Sequence, residues 1–199
     1  MKKYFLLILF IFVSLFLVTG CGDKKEDNKS NNEERESKDI IKKENTSLVL
    51  YFSATGTTRK VAERIADKSG SDLIEIVPKE KYTSDDLNYN SDCRANREQN
   101  DDKARPEIAN KIDISKYNTI YLGYPIWWGT NPRIILTLLD SYDFSNKVII
   151  PFCTSGSSGI STSVSDLRKY DSKLNIKDGK RFTTSDSDQV IEDFIKNNK

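Results

Sequence analysis

Histidine does not occur in the 199 residues, and cysteine occurs only three times. The first absence removes Ser-His-Asp and Cys-His catalysis, histidine-ligated zinc and haem, and the side chain that most readily shuttles protons near neutrality. An excess of charge of one sign is missing too. Lys and Arg number 31 against 30 Asp and Glu, and the basic residues cluster no further than short lysine pairs. Such a balance gives no electrostatic footprint for a nucleic-acid groove. Long apolar runs are scarce as well: the one extended run, residues 4–18 broken only by Ser14, is too short to span a bilayer comfortably. A chain of this length holds at most one ordinary domain.

What is present divides into three unlike segments. Lys2 and Lys3 precede the apolar run, which ends in Val18-Thr19-Gly20-Cys21, so residues 1–20 read as a secretory signal. Small residues just before a cysteine resemble the lipobox of bacterial lipoproteins. That resemblance implies a diacylglycerol on the Cys21 thiol, with Cys21 as the new N-terminus and the protein lipid-anchored outside the cytoplasm. An uncleaved signal anchor with an incidental Cys21 is the alternative, and it leaves the domain on the same side of the membrane. Residues 21–46 carry 7 basic and 8 acidic side chains among Asn and Ser, with Ile40 and Ile41 the only large apolar residues. Such a stretch buries too little surface to offset its ordering entropy and is expected to be a disordered tether. Residues 47–199 then form a domain of 22 basic and 22 acidic residues, long enough for a hydrophobic core.

Within that domain, short apolar runs alternate with helical periodicity. Leu48-Val49-Leu50-Tyr51-Phe52 predicts a strand, Ser53 to Thr58 a loop, and Val61, Ala62, Ile65 and Ala66 the buried face of a helix stopped by Gly70. Further strands are predicted at Leu73 to Val77, Thr119 to Tyr124, Val148 to Phe152 and around Arg181-Phe182-Thr183. Between them lie a helix starting near Pro132 with Ile134, Ile135, Leu138 and Leu139 buried, and a weaker one over Ser161 to Tyr170. A closing helix, capped near Ser185 or Asp186, buries Val190, Ile191, Phe194 and Ile195. Five apolar strands alternating with helices imply right-handed crossovers and a doubly wound α/β parallel sheet covered on both faces. Ligands of such sheets sit at the carboxyl ends of the strands, which singles out the loops after strands one, three and four.

The first of these, Ser53-Ala54-Thr55-Gly56-Thr57-Thr58, stands directly before a helix. Its backbone N–H groups, the positive helix end and four hydroxyls can solvate a phosphate without a lysine, although the same run also serves as a plain cap. It lacks the lysine of a triphosphate loop and the three glycines of a dinucleotide fingerprint, so a monophosphate is the expected ligand. The second loop holds Pro125-Ile126-Trp127-Trp128-Gly129. Successive side chains of an extended segment point oppositely, so at least one tryptophan is expected to be free to stack on a planar ligand; the alternative packs both under neighbouring loops. The third, Thr154-Ser155-Gly156-Ser157-Ser158-Gly159, permits close backbone approach to a ligand, or is simply a flexible turn.

Together the motifs Y-F-S-A-T-G-T-T (51–58), L-G-Y-P-I-W-W-G (122–129) and P-F-C-T-S-G-S-S-G (151–159) resemble the flavodoxin family, and specifically its lipoprotein relatives, over essentially all of residues 47–199. The resemblance implies strand order 2-1-3-4-5 and one non-covalent FMN. By motif match, Ser53, Ala54, Thr55, Gly56, Thr57 and Thr58 would hold the phosphate. Pro125, Ile126, Trp127, Trp128 and Gly129 would flank one face and the N5 edge of the isoalloxazine, and Thr154, Ser155, Gly156 and Gly159 would meet its pyrimidine edge. Gly129, or its peptide with Trp128, is expected to turn and accept a hydrogen bond from N5–H of the half-reduced ring. The implied activity is electron transfer, with no catalytic side chain and no metal.

Three function classes follow. The first is an FMN electron carrier passing electrons between unidentified partners, and the second an FMN-dependent reductase of NAD(P)H, quinone or another small acceptor. The third is a non-enzymatic lipoprotein binding module. The neutral domain departs from the acidic surface common in flavodoxins, so no partner is implied. Residues 78–118 make a long excursion of the kind that forms lids or docking surfaces. Its Arg94 and Arg97 are expected either above the flavin or, more simply, ion-paired in solvent, and Arg59 to point to solvent. Cys93 and Cys153 are left open between a disulfide and buried free thiols.

Overall fold

The computed structural model describes residues 46–198. The expected signal of residues 1–20, Cys21 and nearly all of the tether lie outside the described residues. Thr46, placed at the tether's end, already belongs to the domain: its carbonyl accepts hydrogen bonds from the N–H groups of Asn118 (3.0 Å) and Thr119 (3.4 Å).

The first strand, β1 (Ser47–Tyr51), is buried along its whole length because it lies inside the sheet. Leu48 and Leu50, with Phe52 just beyond, point into one core cluster, and Val49 and Tyr51 into the other, as period-two alternation between two covered faces requires. Helix α1 (Thr57–Ser69) packs Val61, Ala62 and Ile65 on the second face and ends where Gly70, at φ 69°, returns its N–H to the Ala66 carbonyl. Strand β2 (Asp72–Glu75) pairs in parallel with β1. It is shorter than the apolar run 73–77 suggested, since Val77 turns its N–H to the Asn110 side chain (2.9 Å) instead of a strand.

The excursion carries a 3₁₀ turn (Asp85–Leu87) and a short helix, α2 (Arg94–Asn100), absent from the sequence reading, and returns antiparallel to its own start at Pro78 and Ile108. Strand β3 (Thr119–Pro125) pairs with β1 and with β4 (Val148–Thr154), separated by α3 (Arg133–Ser141). Gly123 is required where it stands: a Cβ there would meet the Phe152 ring at 2.2 Å. After α4 (Ser161–Tyr170) come β5 (Asn175–Ile176) and β6 (Lys180–Phe182), both parallel to β4, and then α5 (Asp188–Lys196) with Ser187 at its N-cap. Helices α1 and α5 cover one face, and α3 and α4 the other. The order is β2-β1-β3-β4-β5, with β6 also on β4.

A single fifth strand was expected, and it is broken in two. The Lys177 N–H donates to the Ile149 carbonyl (2.8 Å), so by alternation Pro151 also faces this edge. Proline offers no N–H there, and the ladder lapses opposite it between β5 and β6.

Candidate functional site

The loop after β1 and the loop after β3 meet at the carboxyl ends of their strands, around a cavity of about 380 Å³. Ser53, Ala54, Thr55, Thr57 and Thr58 line it from the first loop, and Pro125, Ile126, Trp127 and Trp128 from the second. Gly56 is the N-cap of α1 at φ 86°, a left-handed conformation that glycine adopts freely, and its N–H donates to Ser53 Oγ (3.1 Å). The N–H groups of Ala54, Thr55, Thr57 and Thr58 have no acceptor among the described residues. They stand at a helix N-terminus, where an anion is favoured. Thr58 is nearly inaccessible and shares a 2.8 Å hydrogen bond with the Thr154 hydroxyl, which ties the first loop to the end of β4.

The second loop is a tight reversal. Trp127 and Thr130 exchange both backbone hydrogen bonds (2.9 and 3.0 Å), with Trp128 at φ 50° and Gly129 at φ 84° between them. Two positive φ angles in a two-residue hairpin make it a type I′ turn. Glycine suits that turn, whereas a bulky aromatic in the left-handed region is strained. The peptide joining Trp128 to Gly129 makes no hydrogen bond among the described residues, and a Cβ on Gly129 would meet nothing within 4 Å. The turn, not strand pleating, orients the two indoles, which stand edge to face with centroids 6.4 Å apart. Trp127 packs edge-on against Phe52 (5.5 Å) and Tyr82 (5.1 Å), and Trp128 is 46% exposed at the cavity.

The third loop lies beside this cavity without lining it. Thr154 is buried, Ser155 is partly exposed, and Gly156 and Gly159 are open to solvent. Arg181 of β6 holds the carbonyls of Ser155 (3.2 Å) and Gly156 (3.3 Å), so the segment is anchored.

Sequence reasoning missed Leu87 and Gln99 and gave Tyr89 no role. Leu87 and Tyr89 line the cavity from the excursion. Gln99 of α2 is buried against the reversal: its amide N–H₂ donates to the carbonyls of Trp127 and Asn131 (both 3.3 Å), and its carbonyl oxygen accepts from the Arg133 N–H (3.1 Å). No local pattern marks a lone Gln as a clamp, since its partners lie about thirty residues away. Arg94 stacks over Tyr82 at 4.2 Å and pairs with Glu98, and Arg97 pairs with Asp92 (3.2 Å). Arg59 pairs with Glu75 (2.6 Å) at the surface. Cys93 and Cys153 are both buried free thiols.

Among the described residues, no Asp, Glu, Lys, Arg or Cys side chain lines the cavity. Burial pushes the Cys153 thiol up to about 12. Burial also raises the Tyr82 hydroxyl, with Glu98 adding to the effect, and raises the Tyr124 hydroxyl, which accepts a hydrogen bond from Ser163 (2.9 Å). No group of three or more potential metal-ligating His, Cys, Asp or Glu side chains occurs among the described residues.

The flavodoxin family model matches residues 46–198. The chain belongs to the flavodoxin family. Among solved structures, this flavodoxin-family chain is 40% identical to a protein of Bacteroides eggerthii assigned to the flavoproteins, with a TM-score of 0.73 over 76% of this chain and 96% of that one. A counterpart from Bacteroides uniformis matches equally, at 40% identity and TM-score 0.73 over 76% and 97% of the two chains. A flavoprotein of Lactobacillus acidophilus, solved in complex with FMN, is 31% identical with a TM-score of 0.59 over 69% and 93%. No curated protein matches the sequence.

The residues present fit the family's cofactor. Open N–H groups at a helix N-terminus provide a phosphate cradle, and the far side of the same cavity is apolar and aromatic, as a flat ring system requires.

Proposed function

We infer that this chain binds FMN non-covalently and transfers electrons through it. The observation that carries the reading is one cavity with unpartnered helix-terminal N–H groups from the first loop and an apolar tryptophan wall from the second. FMN, when bound, supplies one- and two-electron chemistry through its isoalloxazine. The protein's share is binding and tuning. The N–H groups of Ala54, Thr55, Thr57 and Thr58 hold the phosphate, and the Thr58–Thr154 hydrogen bond keeps their loop in place. Ile126, Trp127 and Trp128 exclude water from the ring, so negative charge there is poorly solvated and costly. The free Trp128–Gly129 peptide offers a carbonyl for N5–H.

An electron carrier is the reading placed first, supported by the match to the flavodoxin family. The presence of Leu87 and Tyr89 at the cavity supports the second reading, an FMN-dependent reductase whose excursion walls a small-molecule site. A visible-range spectrum of the purified chain after incubation with FMN, followed by anaerobic redox titration, tests the common core: a colourless protein overturns both readings. Steady-state NAD(P)H oxidation by the holoprotein separates them. The sequence of residues 1–21 supports a lipid anchor on Cys21 and a location on the outer face of the cytoplasmic membrane.

A further inference from the structure

Tyr89 is 71% exposed, while its backbone is hydrogen-bonded on both sides. Its carbonyl accepts from the Asn96 side-chain amide (3.1 Å), which also bonds the Ser91 carbonyl, and its N–H donates to the Leu87 carbonyl (3.0 Å). The preceding turn is closed by Thr83 and Asp86, each bonding the other's backbone or hydroxyl. The excursion as a whole is pinned by the Gln99 clamp and by the Arg94 guanidinium stacked on Tyr82. A large aromatic ring is therefore held in water on an anchored backbone, at the rim of the same cavity as the half-exposed ring of Trp128. The third loop, which contains only Thr, Ser and Gly from Thr154 to Gly159, has no aromatic side chain to offer that cavity.

Resting on the FMN reading, we propose that Tyr89 is a flavin-covering residue, supplied by the excursion between β2 and β3 and stacking on the isoalloxazine as a second aromatic wall beside Trp128. The ring of Tyr89 replaces water over part of the flavin, contributes to its affinity and adds to the cost of negative charge on the reduced ring. The phenol oxygen has no part in this.

The test is titration of the full chain with FMN, for the parent, Tyr89→Ala and Tyr89→Phe, followed by potentiometry of each holoprotein. Stacking of a planar base on one aromatic side chain sets the scale: Tyr89→Ala weakens FMN binding roughly ten-fold and shifts the couple leading to the fully reduced flavin to a less negative potential. Tyr89→Phe matches the parent in both. Because the ring is exposed and only backbone atoms of Tyr89 are bonded, the apoprotein melting temperature of Tyr89→Ala equals that of the parent. Parent-like binding and potentials in Tyr89→Ala overturn the proposal while leaving the flavin reading intact. Equal weakening in Tyr89→Phe overturns stacking in favour of a polar contact, and a parent that takes up no FMN overturns both readings.

Discussion

Trp128 holds an unfavourable backbone conformation with a large apolar side chain half in water, two costs that the free protein gains nothing from. Asparagine is among the residues preferred at its position in a type I′ turn. Trp128→Asn is therefore expected to stabilise the apoprotein by about 1 kcal/mol in urea unfolding while weakening FMN uptake in the same preparation. Cys153 makes the complementary case, a group buried without a role in chemistry. Its folded pKa is raised from 9.0 to about 12, so the stability tied to it is complete below pH 9 and is lost as pH rises toward 12, by about 1.4 kcal/mol per pH unit. Cys153→Ala is expected to be less stable than the parent at pH 7, with the gap in melting temperature narrowing as the buffer is taken from pH 9 to 11. At this scale the sequence was informative about types and silent about conformation. The two adjacent tryptophans left open whether one would be free or both packed, and nothing in W-W-G told that Trp128 would stay half exposed with a left-handed φ, because that depends on the bonds Trp127 and Thr130 exchange across the turn.

Elements whose burial is two-sided were the easiest to read. Strands β1, β3 and β4 are continuous apolar runs because both faces meet helices, and α1, α3 and α5 show their buried stripes at helical spacing. Elements defined by a single distant contact were not legible. Helix α2 is short, polar and held by Gln99 and by the Arg133 guanidinium, which reaches the Gln99 carbonyl (2.8 Å) and Asp102 (2.7 Å). The break between β5 and β6 depends on the missing N–H of Pro151 in the neighbouring strand, and a proline at a strand's centre looked from the sequence like any other apolar residue. Gln99→Leu removes an amide that satisfies two carbonyls and one N–H at once. It is expected to cost about 2–4 kcal/mol in denaturant unfolding and, by loosening the reversal, to weaken FMN binding as well.

On the scale of the whole molecule, residues 47–199 are formally neutral, so docking to a redox partner cannot draw on a strong uniform field. Attachment to a membrane would compensate by confining the protein where its partners are. If residues 1–21 act as proposed, Cys21→Ala is expected to move the protein from the membrane fraction to the soluble one while its flavin spectrum stays unchanged; persistence in the membrane fraction would favour the uncleaved signal anchor. The interrupted margin of the sheet bears on how copies of the protein would meet one another. Beyond β4 the chain offers only a two-residue and a three-residue stretch of ladder, the second bearing Lys180 and Arg181, where a continuous strand would have exposed a long row of unpaired amides. A proline in one strand thus leaves neighbouring copies only a short, charged template at this margin on which to zip together.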